Sequence, residues 1–249
     1  MRLAGKTAIV TGGASGFGEG IVRRFAEEGA NVIIADINDA LGEQVAADIG
    51  GNCVYCRCDV TSQADLHATA TLAMDRFGSL HIMVNNAGMP QTNQPLLDVD
   101  EATFSKLFDV NVKSVFLAAK AVVPIMRDQG SGSIINTAST AALRPRPGLV
   151  WYNASKGAVT TMTKAMAVEL APDQIRVNAL CPVAGETPML GAFMGGEVTN
   201  EMRAAFISTI PMGRFSTPKD MANAALFFAC DDSAFITGVC MEVDGGRCI

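Results

Sequence analysis

Short apolar runs alternate with longer amphipathic segments along most of the chain. The apolar runs are the predicted strands and cover residues 6–11, 31–36, 53–58, 80–86, 132–138, 175–180 and 238–243. Their apolar residues are continuous rather than alternating, which is typical of strands covered on both faces. The amphipathic segments are the predicted helices, near 16–28, 39–48, 62–76, 100–129, 152–171 and 218–230. Because every crossover is long enough for a helix, the pattern predicts an α/β fold in one domain, residues 1–249, with a doubly wound seven-stranded parallel sheet.

Residues 182–216 interrupt this alternation. They follow the sixth predicted strand, so they leave the carboxyl edge of the sheet, where open α/β folds bind ligands. A long irregular segment at that edge predicts a substrate lid. Its apolar residues suit a surface that repacks around varied apolar groups; they are Met189, Leu190, Phe193, Met194 and Met202.

The composition excludes several classes of protein. Of 249 residues, 49% are hydrophobic and 18% are charged, as expected for a compact globular chain. The net charge of -6 argues against a nucleic-acid partner. No apolar run reaches the roughly 18 residues of a membrane span, and the N-terminal apolar stretch is too short for a signal peptide. A cytoplasmic protein without a membrane partner is therefore expected.

Seven cysteines raise the question of a metal site or disulfides. Cys53, Cys56 and Cys58 lie close together in CVYCRC, but on a strand positions 53 and 56 point to opposite faces. No second cluster supplies the missing ligands, and an odd count without a secretory signal argues against a disulfide framework. We expect reduced, buried thiols and no metal.

Glycines follow the first predicted strand in TGGASGFG. Gly12 permits a tight turn, Gly16 lets the backbone approach a pyrophosphate, and Gly18 lets the helix pack against the strand. The spacing is G-x3-G-x-G, and a turn that serves packing alone is the alternative. Asp36 ends the second strand, where its carboxylate can accept hydrogen bonds from a ribose. Capping of the next helix is the alternative for Asp36, although Asn38 or Asp39 can do that instead.

Two further strand ends carry residues suited to a nucleotide. Asp59 and Val60 follow the third strand, and NNAG at 85–88 follows the fourth. No arginine or lysine stands beside Ser15 or Asp36 in the sequence, so nothing there compensates the charge of a ribose phosphate. NAD is therefore expected rather than NADP.

The reacting groups are expected after the fifth strand. Ser139 follows that strand, and Tyr152 and Lys156 are spaced i, i+4 on one face of the next helix. A tyrosine has an ordinary pKa near about 10, and a neighbouring cation lowers that pKa. A phenol tuned in this way exchanges a proton with an alcohol or carbonyl.

Arg144 and Arg146 lie between Ser139 and Tyr152, in LRPRPG. Two arginines held by prolines can bind a carboxylate, sulfonate or phosphate. We favour the alternative that they face solvent or pair with a neighbouring subunit, because arginines on loops are usually exposed. An uncharged alcohol or ketone with an apolar body is therefore the expected substrate, with an anion as the second option.

Together these motifs resemble the short-chain dehydrogenase/reductase family, in its compact single-domain, Rossmann-type form. The resemblance covers essentially the whole chain and rests on TGGASGFG, CDV, NNAG, DVNV, Ser139, YNASK and the P-x4-T from Pro182 to Thr187. It implies an NAD-dependent oxidoreductase that interconverts an alcohol, preferably secondary, and its carbonyl compound. It also implies a homotetramer.

The resemblance assigns a role to each catalytic position. Tyr152 would be the general acid/base, Lys156 would lower its pKa and bind the nicotinamide ribose, and Ser139 would orient the carbonyl. Asn111 would support a proton-relay water, and Thr187 would hold the nicotinamide carboxamide. The full set of expected cofactor contacts is Gly12, Ser15, Gly16, Phe17, Gly18, Asp36, Ile37, Asp59, Val60, Asn86, Ala87, Gly88, Tyr152, Lys156, Pro182, Val183 and Thr187.

The chain departs from the family pattern at one position, and two alternative functions remain. The family usually has Pro-Gly where this chain has Pro182-Val183, and a β-branched residue does not take positive φ cheaply, so a different turn and a Val183 contact to the nicotinamide are expected. A catalytically silent nucleotide-binding module is one alternative, but it should lack the tyrosine, lysine or serine. A sugar-nucleotide epimerase is the other, and it would need an additional substrate domain.

Overall fold

Seven parallel strands form one sheet in the computed structural model, which describes residues 1–193 and 199–249. The strands are β1 (Thr7–Thr11), β2 (Asn31–Asp36), β3 (Cys53–Arg57), β4 (Ile82–Asn85), β5 (Gly132–Thr137), β6 (Ile175–Pro182) and β7 (Cys240–Val243). Their order is β3-β2-β1-β4-β5-β6-β7, and each neighbouring pair is parallel. The predicted fold class is confirmed.

Helices connect the strands on both faces of the sheet. They are α1 (Gly16–Glu27), α2 (Asp39–Ile49), α3 (Gln63–Phe77), α4 (Glu101–Phe108), α5 (Ser114–Gln129), α6 (Val150–Leu170), α7 (Leu190–Phe193), α8 (Asn200–Ile207) and α9 (Pro218–Ala229). The single helix predicted for 100–129 is divided by a π-helical turn at Asp109–Lys113, and the irregular segment after β6 contains α7 and α8.

Two apolar layers hold the helices to the sheet. On one face Ile21 and Phe25 of α1 pack with Phe228 of α9, and on the other Leu66 of α3 packs with Leu117 of α5. The central strands are covered on both sides, since every residue of β1 is buried. This double burial explains why the strands are continuous apolar runs.

The direction of winding reverses beside β1. From β1 the chain proceeds to β2 and β3 on one side, and then returns to β4 on the other. The connections after β1 and β4 therefore diverge and leave a crevice at the carboxyl edge, which is where such sheets bind ligands.

A chain of buried polar groups joins β4, β5 and α6. Asn85 Nδ2 donates to Asn136 Oδ1 at 2.8 Å, and Asn136 Nδ2 donates to Thr163 Oγ1 at 2.9 Å. Thr163 Oγ1 in turn donates to the Val159 carbonyl at 2.8 Å. Because each buried group has a partner, these bonds offset the cost of removing the groups from water and fix the position of α6 relative to β5.

The cysteines are all free in the structure. Cys53 packs into the apolar layer of α1, whereas Cys56 and Cys58 pack into the opposite layer. In the described residues no group of three or more histidine, cysteine or acidic side chains is arranged to hold a metal ion. No described helix is both long and apolar enough to cross a bilayer.

We expect Asn136→Ala to lower the free energy of unfolding by about 1–3 kcal/mol, because it leaves the buried amide of Asn85 without its acceptor. The matched control is Thr137→Val, because the buried Thr137 hydroxyl has no hydrogen-bond partner among the described residues. That change should be neutral or stabilising. Urea unfolding measures both, and equal losses in the two variants would contradict the role given to Asn136.

Candidate active site

The turn between β1 and α1 is shaped by glycines. Gly12 has φ +61° and Gly16 has φ +56°, in the left-handed region that favours glycine. A Cβ on Gly18 would collide with the Gly12 carbonyl oxygen and the Asn86 amide, so only glycine lets α1 approach this closely. Ser15 is the N-cap of α1 but makes no side-chain cap hydrogen bond. The first backbone N–H groups of α1 are therefore suited to bind an anion.

Asn86, the residue after β4, holds this turn in place through hydrogen bonds. Its Nδ2 donates to the carbonyls of Thr11 at 3.0 Å and Gly12 at 3.1 Å. The Thr11 hydroxyl accepts hydrogen bonds from the backbone N–H groups of Asn86 at 3.0 Å and Ala87 at 3.1 Å. The sequence predicted polar side chains at this strand end, and the structure adds that this one holds the glycine turn in place.

Asp36 lies at the end of β2, beside the same turn. Its two carboxylate oxygens accept from the backbone N–H groups of Ala14 and Asn38, each at 3.0 Å. Asn38 caps α2 by accepting from Leu41 N at 3.1 Å, so Asp36 is not needed as the cap. A carboxylate has about four acceptor positions, so capacity remains for ribose hydroxyls.

The sequence predicted that no basic residue would lie beside Asp36. This prediction is wrong, because the fold brings Arg57 next to Asp36. Arg57 of β3 is paired in register with Asp36 across the sheet. Its Nη1 donates to the Ile37 carbonyl at 2.9 Å and to Asp39 Oδ2 at 2.8 Å. Because Asp39 neutralises this arginine, the acidic character of the site is kept.

One cavity of about 510 Å³ contains both the glycine turn and the predicted reacting groups. Of the predicted residues, those lining it are Gly12, Ser15, Gly16, Phe17, Asp36, Ile37, Asp59, Val60, Asn86, Ala87, Gly88, Ser139, Tyr152, Lys156, Pro182, Val183 and Thr187. Gly18 and Asn111 do not line it. Neither histidine lies at the cavity: His67 is in α3, and His81 Nδ1 accepts from Thr7 N at 3.0 Å.

Ser139, Tyr152 and Lys156 come together at one end of the cavity. Tyr152 is 8% and Lys156 5% exposed. Lys156 Nζ lies 5.9 Å from the centre of the Tyr152 ring and donates to the Thr137 carbonyl at 2.8 Å. The Ser139 hydroxyl accepts from Ala141 N at 3.1 Å, which orients it at the end of β5.

Burial governs the protonation of these groups. It raises the pKa of Tyr152 to about 12, against the opposing effect of the Ser139 hydroxyl. Burial also lowers the pKa of Lys156 to about 8. The direction for Tyr152 is opposite to that expected from a neighbouring cation, because loss of hydration disfavours the phenolate. Tyr152 is therefore a protonated phenol at neutral pH.

Gln91 positions the helix that carries Tyr152, and sequence analysis missed it. Leu149 is the N-cap of α6 and offers no side-chain acceptor. Instead Gln91 Oε1 accepts from Tyr152 N at 2.9 Å, while its Nε2 donates to the Gly148 carbonyl at 3.1 Å. A glutamine 61 residues away in the chain gives no local signal of this contact.

Asn111 is buried in the π-helical turn between α4 and α5. Its Oδ1 accepts from Met89 N at 2.7 Å, and its Nδ2 donates to the Met89 carbonyl at 3.0 Å and to Ser155 Oγ at 3.1 Å. The side chain thus ties the loop after β4 to the helix of Tyr152. Both N–H donors of its amide are used by these contacts.

Described residues of the segment after β6 line the cavity near Tyr152. Phe193 meets the Tyr152 ring edge to face at 5.0 Å, and Val183 and Leu190 pack in a small apolar cluster. Val183 does not adopt positive φ, so the β-branched residue is accommodated without strain. Thr187 lies against Gly16, where an added Cβ would be 3.2 Å from the Thr187 Cβ. Met189 also lines the cavity, Met202 does not, and Met194 is outside the described residues.

Arg144 and Arg146 line the cavity rather than facing away from it. They are joined by Arg247, which follows β7 and which sequence analysis did not single out. Arg144 Nη1 donates to the Arg247 carbonyl at 2.7 Å, which connects the two loops.

The chain is similar to known proteins over nearly its full length. The family model described as enoyl-(acyl carrier protein) reductase matches residues 12–247. The 4-formylbenzenesulfonate dehydrogenase of Comamonas testosteroni is 46% identical, over 99% of both chains. The 2,5-dichloro-2,5-cyclohexadiene-1,4-diol dehydrogenase of Sphingobium indicum is 41% identical, over 98% of this chain and 97% of that protein.

A solved structure has the same fold. The crystal structure of 3-ketoacyl-(acyl-carrier-protein) reductase from Brucella melitensis complexed with NADH superimposes with a TM-score of 0.94. Its sequence is 45% identical, and the alignment covers 99% of this chain and 100% of that one.

Proposed function

The chain belongs to the short-chain dehydrogenase/reductase family, and on that premise we propose that it interconverts an alcohol, preferably secondary, and its carbonyl compound by NAD-dependent hydride transfer. The observation that carries this proposal is the single cavity shared by the glycine turn and by Ser139, Tyr152 and Lys156. A silent nucleotide-binding module would not need these three side chains at the same cavity.

The chain's own residues fit NAD. The glycine turn and the uncapped first turn of α1 suit its pyrophosphate, and Asp36 suits the adenosine ribose. The structure of the Brucella melitensis protein is named as a complex with NADH, which supports the same cofactor here. When bound, NAD supplies the hydride acceptor for the alcohol, and NADH supplies the hydride donor for the carbonyl.

Tyr152 is the proton donor of the proposed reaction. Because burial keeps its phenol protonated, it can give a proton to a substrate oxygen as a carbonyl is reduced. The Ser139 hydroxyl holds the same oxygen. Lys156 places positive charge one helical turn away, where it stabilises the phenolate left by proton transfer. Asn111 and Gln91 keep the helix of Tyr152 in position.

The substrate is proposed to have a cyclic, mainly apolar body. Near Tyr152 the cavity wall includes Leu149 and Phe193. Two relatives are named for cyclic compounds, 4-formylbenzenesulfonate and 2,5-dichloro-2,5-cyclohexadiene-1,4-diol. The first compound is an anion and the second is uncharged, so the names alone do not choose the charge of the substrate.

We propose the cytoplasm as the location of the protein. All seven cysteines are free, and the thiols of Cys53, Cys58 and Cys181 are buried with raised pKa values, as suits unreactive thiols in a reducing compartment. Cell fractionation followed by immunoblotting tests this location.

Tyr152→Phe should lower turnover by about 10²–10⁴-fold while leaving NADH affinity nearly unchanged, because it removes only the exchangeable proton. Turnover is measured by NADH absorbance with a panel of cyclic alcohols and aldehydes and a 3-oxoacyl thioester. NADH affinity is measured by fluorescence titration. Turnover within a few fold of the wild type would refute the role of Tyr152.

The wild-type protein should use NAD at least about 100-fold more efficiently than NADP, because Asp36 would meet the 2′-phosphate with like charge, at a cost of about 2.7 kcal/mol. Asp36→Ser should reduce this ratio at least tenfold. The control is Asp128→Asn, since Asp128 lies in α5 away from the cavity and its substitution should leave the ratio unchanged. The measurement is kcat/KM with both cofactors, and equal efficiencies in the wild type would show the assignment to be wrong.

A homotetramer is the proposed assembly. β7 is an edge strand, and apolar side chains are exposed at Phe116 of α5, Val168 of α6 and Phe235 before β7. Edge strands and exposed aromatic groups are usually covered in stable proteins. Light scattering at micromolar concentration should give about four times the mass of one chain, and a monomer would overturn the proposal.

A further inference from the structure

The cavity carries opposite charges at its two ends. Its acidic residues, in the described part of the chain, are Asp36 at the end of β2 and Asp59 after β3. Its arginines follow β5 and β7, which lie on the other side of the sheet. The end that contains Tyr152 is therefore cationic, with Arg144, Arg146 and Arg247 in addition to Lys156.

The arginines have no acidic partner in the structure. None of the ion pairs between described residues includes Arg144, Arg146 or Arg247. By contrast, other arginines of the chain, such as Arg127 with Asp173 at 2.7 Å, are paired at the surface. Arg76 and Arg176 are also missing from the ion pairs between described residues, but neither of them lines the cavity.

Arg247 has an unused donor. Its Nε is buried and makes no hydrogen bond to any described residue. A buried donor without an acceptor is destabilising, and more so when it is charged. A group of this kind in a ligand cavity is suited to an oxyanion that the ligand brings.

Arg146 is held against an aromatic surface. Its Cζ lies 3.7 Å from the centre of the Phe206 ring, and its carbonyl accepts from Asn153 Nδ2 at 2.8 Å, next to Tyr152. Burial lowers the pKa of Arg146 to about 10, and repulsion from the charge of Arg247, which lines the same cavity, adds to this effect. An anion placed between them would relieve this repulsion and bind in a geometry that arginine recognises well.

Building on the proposed function, we propose that the substrate carries an oxyanion, a carboxylate or sulfonate, on its apolar body and that Arg146 and Arg247 bind it. The apolar body then lies along Leu149 and Phe193, with the reacting C–O group at Ser139 and Tyr152. This reverses the preference for an uncharged substrate that followed from the sequence. Arg144 is exposed and bonded to the Arg247 carbonyl, so its role is to position Arg247.

The test is calorimetric titration of the protein saturated with NADH. Benzenesulfonate and benzoate are the anionic probes, and benzenesulfonamide and benzamide are their uncharged counterparts of similar shape. We expect each anion to bind at least tenfold more tightly than its amide, equivalent to about 1.4 kcal/mol. Arg146→Met and Arg247→Met keep an apolar stem without the charge, and each should abolish this preference. Arg127→Met, the surface control, should keep it.

Three results would overturn the proposal: equal affinity of anion and amide for the wild type, no binding of any anion, or a preference that survives both substitutions. Light scattering on the same variants tests the alternative that these arginines form a contact between subunits. If the substitutions break the assembly and leave the anion preference intact, the arginines serve a subunit contact instead. Failure to bind NADH, measured before the probes are added, would contradict the proposed function, whereas NADH binding without anion preference contradicts this inference alone.

Discussion

The parallel direction of all seven strands is the constraint on which the site depends. Parallel strands end at the same edge, so residues that are distant in sequence, such as Gly12, Asp36, Ser139 and Arg247, reach one cavity. The arrangement requires helices on both faces, and the two apolar layers of the core provide the necessary burial. Stability and chemistry are thus separated: the apolar strand bodies hold the sheet together, and the polar groups are left at its edge.

Much of this arrangement could be predicted because it is encoded locally. Continuous apolar runs predicted the strands. The glycine spacing predicted the nucleotide turn, and the i, i+4 spacing predicted that Tyr152 and Lys156 share a helix face, because each of these patterns lies within one turn or one helix. Contacts between remote segments had no such signal. The hydrogen bond from Tyr152 N to Gln91 and the register of Arg57 with Asp36 depend on how the strands pair. The protonation state of Tyr152 also had no local signal in the sequence, because its raised pKa comes from burial of the side chain in the folded protein.

The order of the strands also places negative and positive side chains at opposite ends of the cavity. Asp36 ends β2 and Asp59 follows β3, whereas arginines follow β5 and β7, several strand spacings away. A ligand that is neutral at one end and negative at the other would therefore be oriented by the field before any close contact forms. Such orientation complements the fit of the apolar wall, which cannot distinguish one end of a symmetrical ring from the other.

The π-helical turn at Asp109–Lys113 makes this part of the chain sensitive to length. A π turn contains one residue more than an α turn needs, and each residue of a helix advances the direction of the side chains by about 100°. Deleting one residue there would let α4 and α5 wind as a regular helix, and either rotate Leu117 and Ala118 out of the core or turn Asn111 away from Met89 and Ser155. Homologous chains should therefore place their insertions and deletions elsewhere, for example in the loops at the amino edge of the sheet.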